Sequence, residues 1–370
     1  MDRDPGRDGG ASRRIGIVGD ALAPRFNEAC AKQMRLLSQE LDAPVLTCSD
    51  IGLAPFRRLG RYFIVNGRYL REDSRRPVLT WANGAFFYPF LKLFERNRDA
   101  IVLSGSVNSG FLPHLDLRKC TLIINSLPFS RDDPEANRFA EKVAPRLGAA
   151  IAQSKRVRER LLGMGLDAPR VRLAYPWVDL DALKPTEPPP LDEFKVLFAS
   201  APNAEIPGEC IFEDKGVPLL LEAFSEVARK HRAVLRLLWR GYHREALWKR
   251  VRELHLEDAV EVVDRVADVS GFISDSHIVV VPFRNTLRSP EMPLSAIEAL
   301  ACGRPVVSTD VAEIAEVIQN HECGAVARPE VADLATALEQ ARKEFWRYQG
   351  NCRRVAEDMF RPDFSSLLDF

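Results

Sequence analysis

PEMPLSAIEALACGRPVV, Pro290 to Val307, reads as a helix running straight into a buried strand. Pro293 suits a first helical position, where its missing N–H removes nothing, and Gly303 suits a left-handed stop. Val306 and Val307 begin the strand. Between these signals, Leu294 to Cys302 is apolar or small except for Glu298, which shares a face with Leu294 and Ala301 at helical spacing. A single carboxylate in such surroundings needs a partner. The first-turn N–H groups of Leu294, Ser295 and Ala296 have no intrahelical acceptor, so that end suits an anion such as a diphosphate. Phosphate at the tip and hydroxyls beside the carboxylate make a nucleotide-sugar arrangement. A core helix whose Glu reaches solvent or a buried Arg fits helix physics equally well.

Working outward, short Val/Ile-rich runs alternate with helical patterns along the whole chain. RIGIVG is followed by an amphipathic helix from Phe26 to Leu41 and by PVLTCS, then VLTWANGAFFYPFLKLFERN is helical on both sides of Pro89, then come AIVLSG, TLIINS and AAIAQS. After KPTEPPPLDEF, with four prolines in eleven residues, the alternation restarts with KVLFAS, AVLRLLW, AVEVVD, HIVVVPF, PVVSTD and GAVARP. Such patterning predicts parallel sheets buried on both faces by helices, an α/β fold of two doubly wound, Rossmann-like domains. The expected organisation is a disordered leader at 1–13, a first domain at 14–184, a Pro-rich linker at 185–194 and a second domain at 195–350. The tail at 351–370 then forms a closing helix that returns to the first domain. Ligands in open sheets of this type sit beyond the carboxyl ends of the strands, so Gly19, Asp20, Ser104–Gly110, Ser126 and Ser154 should line a cleft.

At 370 residues, with 46% hydrophobic and 28% charged, the chain has ordinary globular composition and room for two cores. Its seven cysteines are scattered without a C-x-x-C pair, and the six histidines lack ligand spacing, which points to reduced thiols in a cytoplasmic setting and to no metal site. No run is apolar and long enough to cross a membrane, and the first residues lack the core of a signal peptide. The net charge of zero conceals an asymmetry: residues 1–184 hold 30 Lys+Arg against 21 Asp+Glu, and residues 185–370 hold 22 against 31. Much of the excess is Arg57, Arg58, Arg61, Arg68, Arg71, Arg75 and Arg76, interleaved with Phe56, Tyr62, Phe63 and Tyr69. Such a patch attracts an anionic membrane surface or acidic acceptor and nucleic acid only weakly; a solvated face paired with the other domain is the plainer reading. No Walker loop, dinucleotide fingerprint or nucleophilic triad is present.

The 290–307 stretch resembles the donor-binding helix of the group-1, family-4-like glycosyltransferases, a class of GT-B fold with two Rossmann-like domains facing across a cleft. That class carries a Glu, seven residues, a second Glu, a small-residue run and Gly-x-Pro-Val-Val. Glu298, Ala299, Ala301, Cys302, Gly303, Pro305, Val306 and Val307 match the second half, whereas the position eight before Glu298 is Pro290 and the nearby acid, Glu291, is one step out of register. AQSKRVRERLLGMGLDAPRVRLAYPWVDLDALKP also follows a family phrase, with Ser154, Val178, Asp179 and Pro185 at matching positions. The resemblance implies that Glu298 binds the donor ribose, that Glu291 contacts the transferred sugar, and that Lys215, in DKGVPLLLEAF, faces the diphosphate together with the N–H groups of Leu294 and Ser295. A Lys at a helix start opposes the dipole, so its presence asks for an anion.

Three family features depart. The Gly-Gly loop after the first strand reads GDALAPRFNE, leaving Gly19 as the donor-side residue there; the companion Arg before Lys215 is missing from Ser200–Asp214; and Arg240 or Arg288 is left to supply a second cation. His114 corresponds to a family histidine near the transferred sugar, although a His after Pro113 also suits a structural role. What the resemblance implies is a retaining, metal-independent hexosyltransferase without cofactor. It would use a nucleotide-sugar donor, UDP- or GDP-linked, and a saccharide, lipid-linked or small-molecule acceptor, in the cytoplasm or peripherally at the inner face of the membrane, without nucleic acid. The competing reading is a catalytically degenerate nucleotide-sugar-binding or scaffold protein of the same fold; epimerases and phosphorylases share the architecture.

Overall fold

The computed structural model of the protein describes residues 14–19, 29–49, 56–66, 89–104, 112–127, 134–200, 211–239, 243–265, 268–287, 289–361 and 363. The described chain builds two sheets with helices between their strands. The first contains β1 (Ile15–Gly19), β2 (Val45–Ser49), β3 (Phe56–Leu59), β4 (Tyr62–Asn66), β5 (Ala100–Ser104), β6 (Cys120–Ile124), β7 (Ala149–Ala152) and β8 (Val171–Leu173), in the order β3-β4-β2-β1-β5-β6-β7-β8. All pairs are parallel except β3 with β4, a hairpin turning at Gly60. The second contains β9 (Phe194–Phe198), β10 (Ala233–Leu237), β11 (Val260–Val262), β12 (Ile278–Val281), β13 (Val306–Thr309) and β14 (Gly324–Ala327), all parallel in the order β11-β10-β9-β12-β13-β14. Buried strands such as CTLII, AAIA and IVVV have no polar face because helices cover both sides. The α/β class with two doubly wound sheets, expected from the alternation, is therefore what the chain forms.

The helices are α1 (Ala29–Glu40), α2 (described over 89–96), α3 (Pro134–Lys142), α4 (Lys155–Gly163), α5 (Ile211–Asp214), α6 (Val217–Ala228), α7 (Arg244–Glu253), α8 (Val269–Ser274), α9 (Leu294–Ala301), α10 (Ile314–Asn320), α11 (Val331–Lys343) and α12 (Phe345–Met359). Two parts of the basic region fold as strands, β3 and β4. Arg58 lies over the Phe63 ring, which packs edge-on against Phe94 of α2. Residues 67–76, with the remaining arginines, and the leader at 1–13 lie outside the described residues.

The chain passes between cores earlier than its composition suggests. Trp177 belongs to the first core, against Ile17, Met34 and Val45, whereas Val178 and Leu180 belong to the second. The prolines that follow are fixed to the second half: the fully buried Arg304 donates to the carbonyls of Thr186 and Glu187, and His277 contacts the Pro189 carbonyl at 2.9 Å. Since His277 Nδ1 accepts from the Lys195 N–H, Nε2 carries the proton toward Pro189. The expected linker at 185–194 is thus a strap bound on one side. Of the expected closing segment at 351–370, residues 362 and 364–370 lie outside the described residues. α12 buries Tyr348, Cys352, Val355 and Ala356 in the second core, and Arg353 donates to the Leu180, Leu183 and Ala301 carbonyls. Its end meets the segment between the cores where Val178 N–H donates to Phe360 O and Tyr175 meets the Phe360 ring.

Candidate functional site

α9 starts beyond the carboxyl end of β12, with Pro293 as its N-cap. The Pro293 carbonyl accepts from Ala296 N–H at 3.1 Å, which corrects the expectation for that group and leaves the N–H groups of Leu294 and Ser295 as the orphan donors of the tip. Glu298 is the one charge on a helix whose other residues, Ser295 apart, are buried and apolar, and it is itself only 5% exposed. It does not reach solvent or the buried Arg304. Its carboxylate accepts a 2.5 Å bond from Lys32 Nζ, on α1 of the first half. Burial pushes the Glu298 carboxyl above its ordinary range, and the Lys32 ammonium opposes that shift. α9 therefore faces the first sheet's helix α1 across the gap between the halves.

Lys215 occupies the reversal point of the second sheet. β9 pairs with β10 on one side and β12 on the other, which places the topological switch, the usual ligand crevice of such sheets, between β9 and β12. Lys215 Nζ donates to Ser200 Oγ at 2.8 Å, just past β9, and lies 5.5 Å from the Phe283 ring centroid, just past β12. It is 6% exposed and has no carboxylate partner among the described residues. Burial alone lowers its pKa from 10.5 to about 8, a cost of roughly 3 kcal/mol at neutral pH. A cation kept at that cost asks for an anion that arrives from outside. Gly216 sets this position: its φ is +69°, and a Cβ there would fall 1.7 Å from the Pro282 oxygen. Gly216→Ala should lower stability by more than about 3 kcal/mol, from the left-handed conformation and the backbone overlap together. A denaturation midpoint equal to wild type would refute this account of the turn.

Glu291 is already occupied. Its carboxylate accepts from Thr286 Oγ1 at 2.7 Å and Glu313 N–H at 2.9 Å, and it pairs with Arg156 of α4 at 3.4 Å. Glu291 thereby takes part in a clasp between the halves. The clasp extends through Glu313, whose carboxylate accepts from the Lys155 and Arg156 N–H groups, both at 2.9 Å. An acid of one half thereby satisfies the start of a helix in the other. Ser154, expected to line the cleft, instead caps α4 by accepting from Val157 N–H at 3.0 Å.

Gly19 ends β1, where a Cβ would fall 2.0 Å from Met34 Sδ; it serves the approach of α1 to the sheet. His114 is exposed at the end of a 3-10 turn, Leu112–His114, after β5. Arg240 and Arg288 lie outside the described residues. Among the described residues, no group of three His, Cys, Asp or Glu is placed to hold a metal ion. Sequence reasoning missed Lys32, Arg156 and Glu313. None of the three carried a local signal, because each is placed by the approach of distant segments.

Residues 206–344 match the family model described as "Glycosyl transferases group 1". N-acetyl-α-D-glucosaminyl L-malate synthase of Bacillus anthracis is 28% identical over 127 residues, covering 34% of this chain and 32% of that protein. The match thus spans about a third of this curated relative. Among solved structures, sucrose-phosphate synthase from Thermosynechococcus elongatus superposes with a TM-score of 0.72 at 16% identity, covering 94% of this chain and 95% of that one. HepE from Anabaena, solved with UDP and glucose, superposes with a TM-score of 0.67 at 14% identity over 94% and 96%. The resemblance stated from residues 290–307 is borne out, and the fold is that of GT-B proteins along nearly the whole chain.

Proposed function

We propose that this chain, a GT-B fold carrying a group-1 glycosyltransferase match at residues 206–344, transfers a hexosyl group from a nucleotide-diphosphate sugar to a saccharide, lipid-linked or small-molecule acceptor. The observation that carries the reading is Lys215, a buried cation without an anionic partner among the described residues, at the switch point of a doubly wound sheet. Cleavage of a nucleotide sugar builds negative charge on the departing diphosphate. Lys215 and the Leu294 and Ser295 N–H groups are fixed donors for that charge, so they stabilise it without reorganising and without a metal. Glu298 accepts ribose hydroxyls and orients the donor. HepE, with UDP and glucose in its structure, supports a UDP-linked donor. Retention of anomeric configuration belongs to the same proposal.

The test is a thermal-shift screen of UDP-, GDP- and ADP-sugars followed by a nucleotide-release assay with saccharide and lipid acceptors. A ligand at a hundredfold excess over its Kd should stabilise the fold by about 2.7 kcal/mol. No stabilisation by any of them would overturn the reading. The engagement of Glu291 by Thr286, Arg156 and Glu313 favours the second reading, a binding protein without transfer, and stabilisation without nucleotide release would decide for it.

Peripheral membrane attachment is part of this proposal. On the first half, Arg58 and Arg98 lie over the packed Phe63 and Phe94 rings, and α2 holds Leu93 60% exposed beside the exposed Lys92. No helix among the described residues is long and apolar enough to cross a membrane. Flotation with vesicles is expected to rise several-fold between neutral and 30% anionic lipid, since each basic side chain near the surface contributes about 1 kcal/mol. Flotation indifferent to anionic lipid would remove the membrane from the reading.

A further inference from the structure

Three observations concern the charge balance of the donor site. A diphosphate in that crevice meets one buried ammonium, Lys215, and Ala201–Cys210, the segment leading toward it, contains no Lys or Arg. Among the described residues, three arginines near α9 are committed. Arg304 and Arg353 are spent on backbone carbonyls, and Arg156 is held by Glu291, Glu316 and the Val311 carbonyl. Lys32 is different: it comes from the first half, its side chain is a quarter exposed, and its ammonium rests on Glu298 at 2.5 Å.

The position of that ammonium matters. Glu298 lies four residues beyond Leu294, about 6 Å along the axis, and helical side chains lean back toward the N-terminus. The Glu298 carboxylate and the cation on it therefore sit within one turn of the orphan N–H groups of Leu294 and Ser295. A lysine stem with four rotatable bonds covers that interval without movement of α1. A carboxylate offers about four lone-pair directions, of which Lys32 fills one, so ribose hydroxyls can join it at Glu298.

We propose that Lys32 is the second cation of the diphosphate site, contributed by the opposite half of the molecule and held on Glu298 until the donor arrives. This rests on the nucleotide-sugar reading above and names a residue for it. On donor entry the ammonium shifts from the carboxylate toward the diphosphate, and the carboxylate turns its freed lone pair to the ribose. Lys32 is thus a positioning residue for the donor's charged linkage. In the donor-free protein it is also the counter-ion that makes a buried carboxylate tolerable. The same ammonium then connects donor binding with contact between the halves, because its stem is anchored on α1, with Met34 buried and Gln33 bonded to Gln153 at 2.7 Å.

The test compares, by titration calorimetry, the affinities of UDP, GDP and ADP with those of uridine, guanosine and adenosine, in wild type, Lys32→Met and Lys32→Arg. For whichever base binds, Lys32→Met is expected to weaken the diphosphate at least tenfold while leaving the nucleoside unchanged or tighter. Lys32→Arg restores most of the preference. If Lys32 only holds the halves together, nucleoside and diphosphate weaken alike in Lys32→Met, and the proposal is overturned. It is equally overturned if the ratio of the two affinities does not change. Failure of wild type to bind any of the three diphosphates would instead sink the underlying function. Melting of each variant without ligand shows that the compared proteins are folded.

Discussion

Glu298→Ala is expected to weaken nucleotide-sugar binding by about a thousandfold and Glu298→Gln by about a hundredfold, since a carboxylate accepting two ribose hydroxyls makes two charge-assisted bonds and the amide keeps one neutral acceptor. The stability of the glutamine variant should move the other way. Burial raises the Glu298 pKa in the folded chain, so between its unfolded and folded values the folded state binds more protons. Stability from this group is therefore present at low pH and lost as pH rises through the folded pKa, which makes the ionised side chain a liability at neutral pH. Lys32, a quarter exposed, can turn to water when its partner loses charge. Glu298→Gln should accordingly melt no lower than wild type at pH 7 while losing the ligand. Opposed changes of this kind mark a residue kept for binding rather than for folding. Two results would defeat the assignment: wild-type affinity in Glu298→Gln, or a melting point several degrees down with binding lost only in proportion to unfolding.

The parts of this site that were legible in the sequence are those whose signal is local. The periodicity of Leu294–Ala301, the proline before it and the glycine after it fix a helix by backbone rules, and the buried strand beyond is fixed by its unbroken Val/Ile run. Lys215 was legible because a cation at a helix start violates a local preference. The partners were not legible, because they are set by tertiary approach. Lys32 and Glu298 are separated by 266 positions, and nothing in either segment specifies that α1 will lie across the gap from α9. Glu291 shows the same limit at short range: nothing in the residues around it specifies Glu313 and Arg156 as its partners. The placement of the proline segment was illegible for a related reason. Prolines mark where a chain cannot form helix or central strand, but not which surface it lies on, and the buried Arg304 and His277 hold them against the second half.

Lys215→Met is expected to lower turnover by about two to three orders of magnitude, and to weaken donor binding by less, because an ammonium fixed at the leaving group gains most where charge develops. The pH dependence gives a sharper signature. With the folded pKa depressed to about 8, the unfolded chain binds more protons between about pH 8 and 10.5, so the cost of burying this ammonium is present in full below pH 8 and is relieved as pH rises across that window. An anion in the crevice reverses the balance by favouring the charged form. Donor affinity should therefore be level below about pH 8 and fall above it by up to tenfold per pH unit, with proton uptake on binding near pH 8. In Lys215→Met the decline and the proton uptake both disappear, whereas a lysine buried only for packing with Phe283 would leave each of them as in wild type. Calorimetry in two buffers of different ionisation enthalpy, at pH 7 and pH 9, separates these outcomes, and donor affinity independent of pH in the wild type would show that no phosphate rests on Lys215.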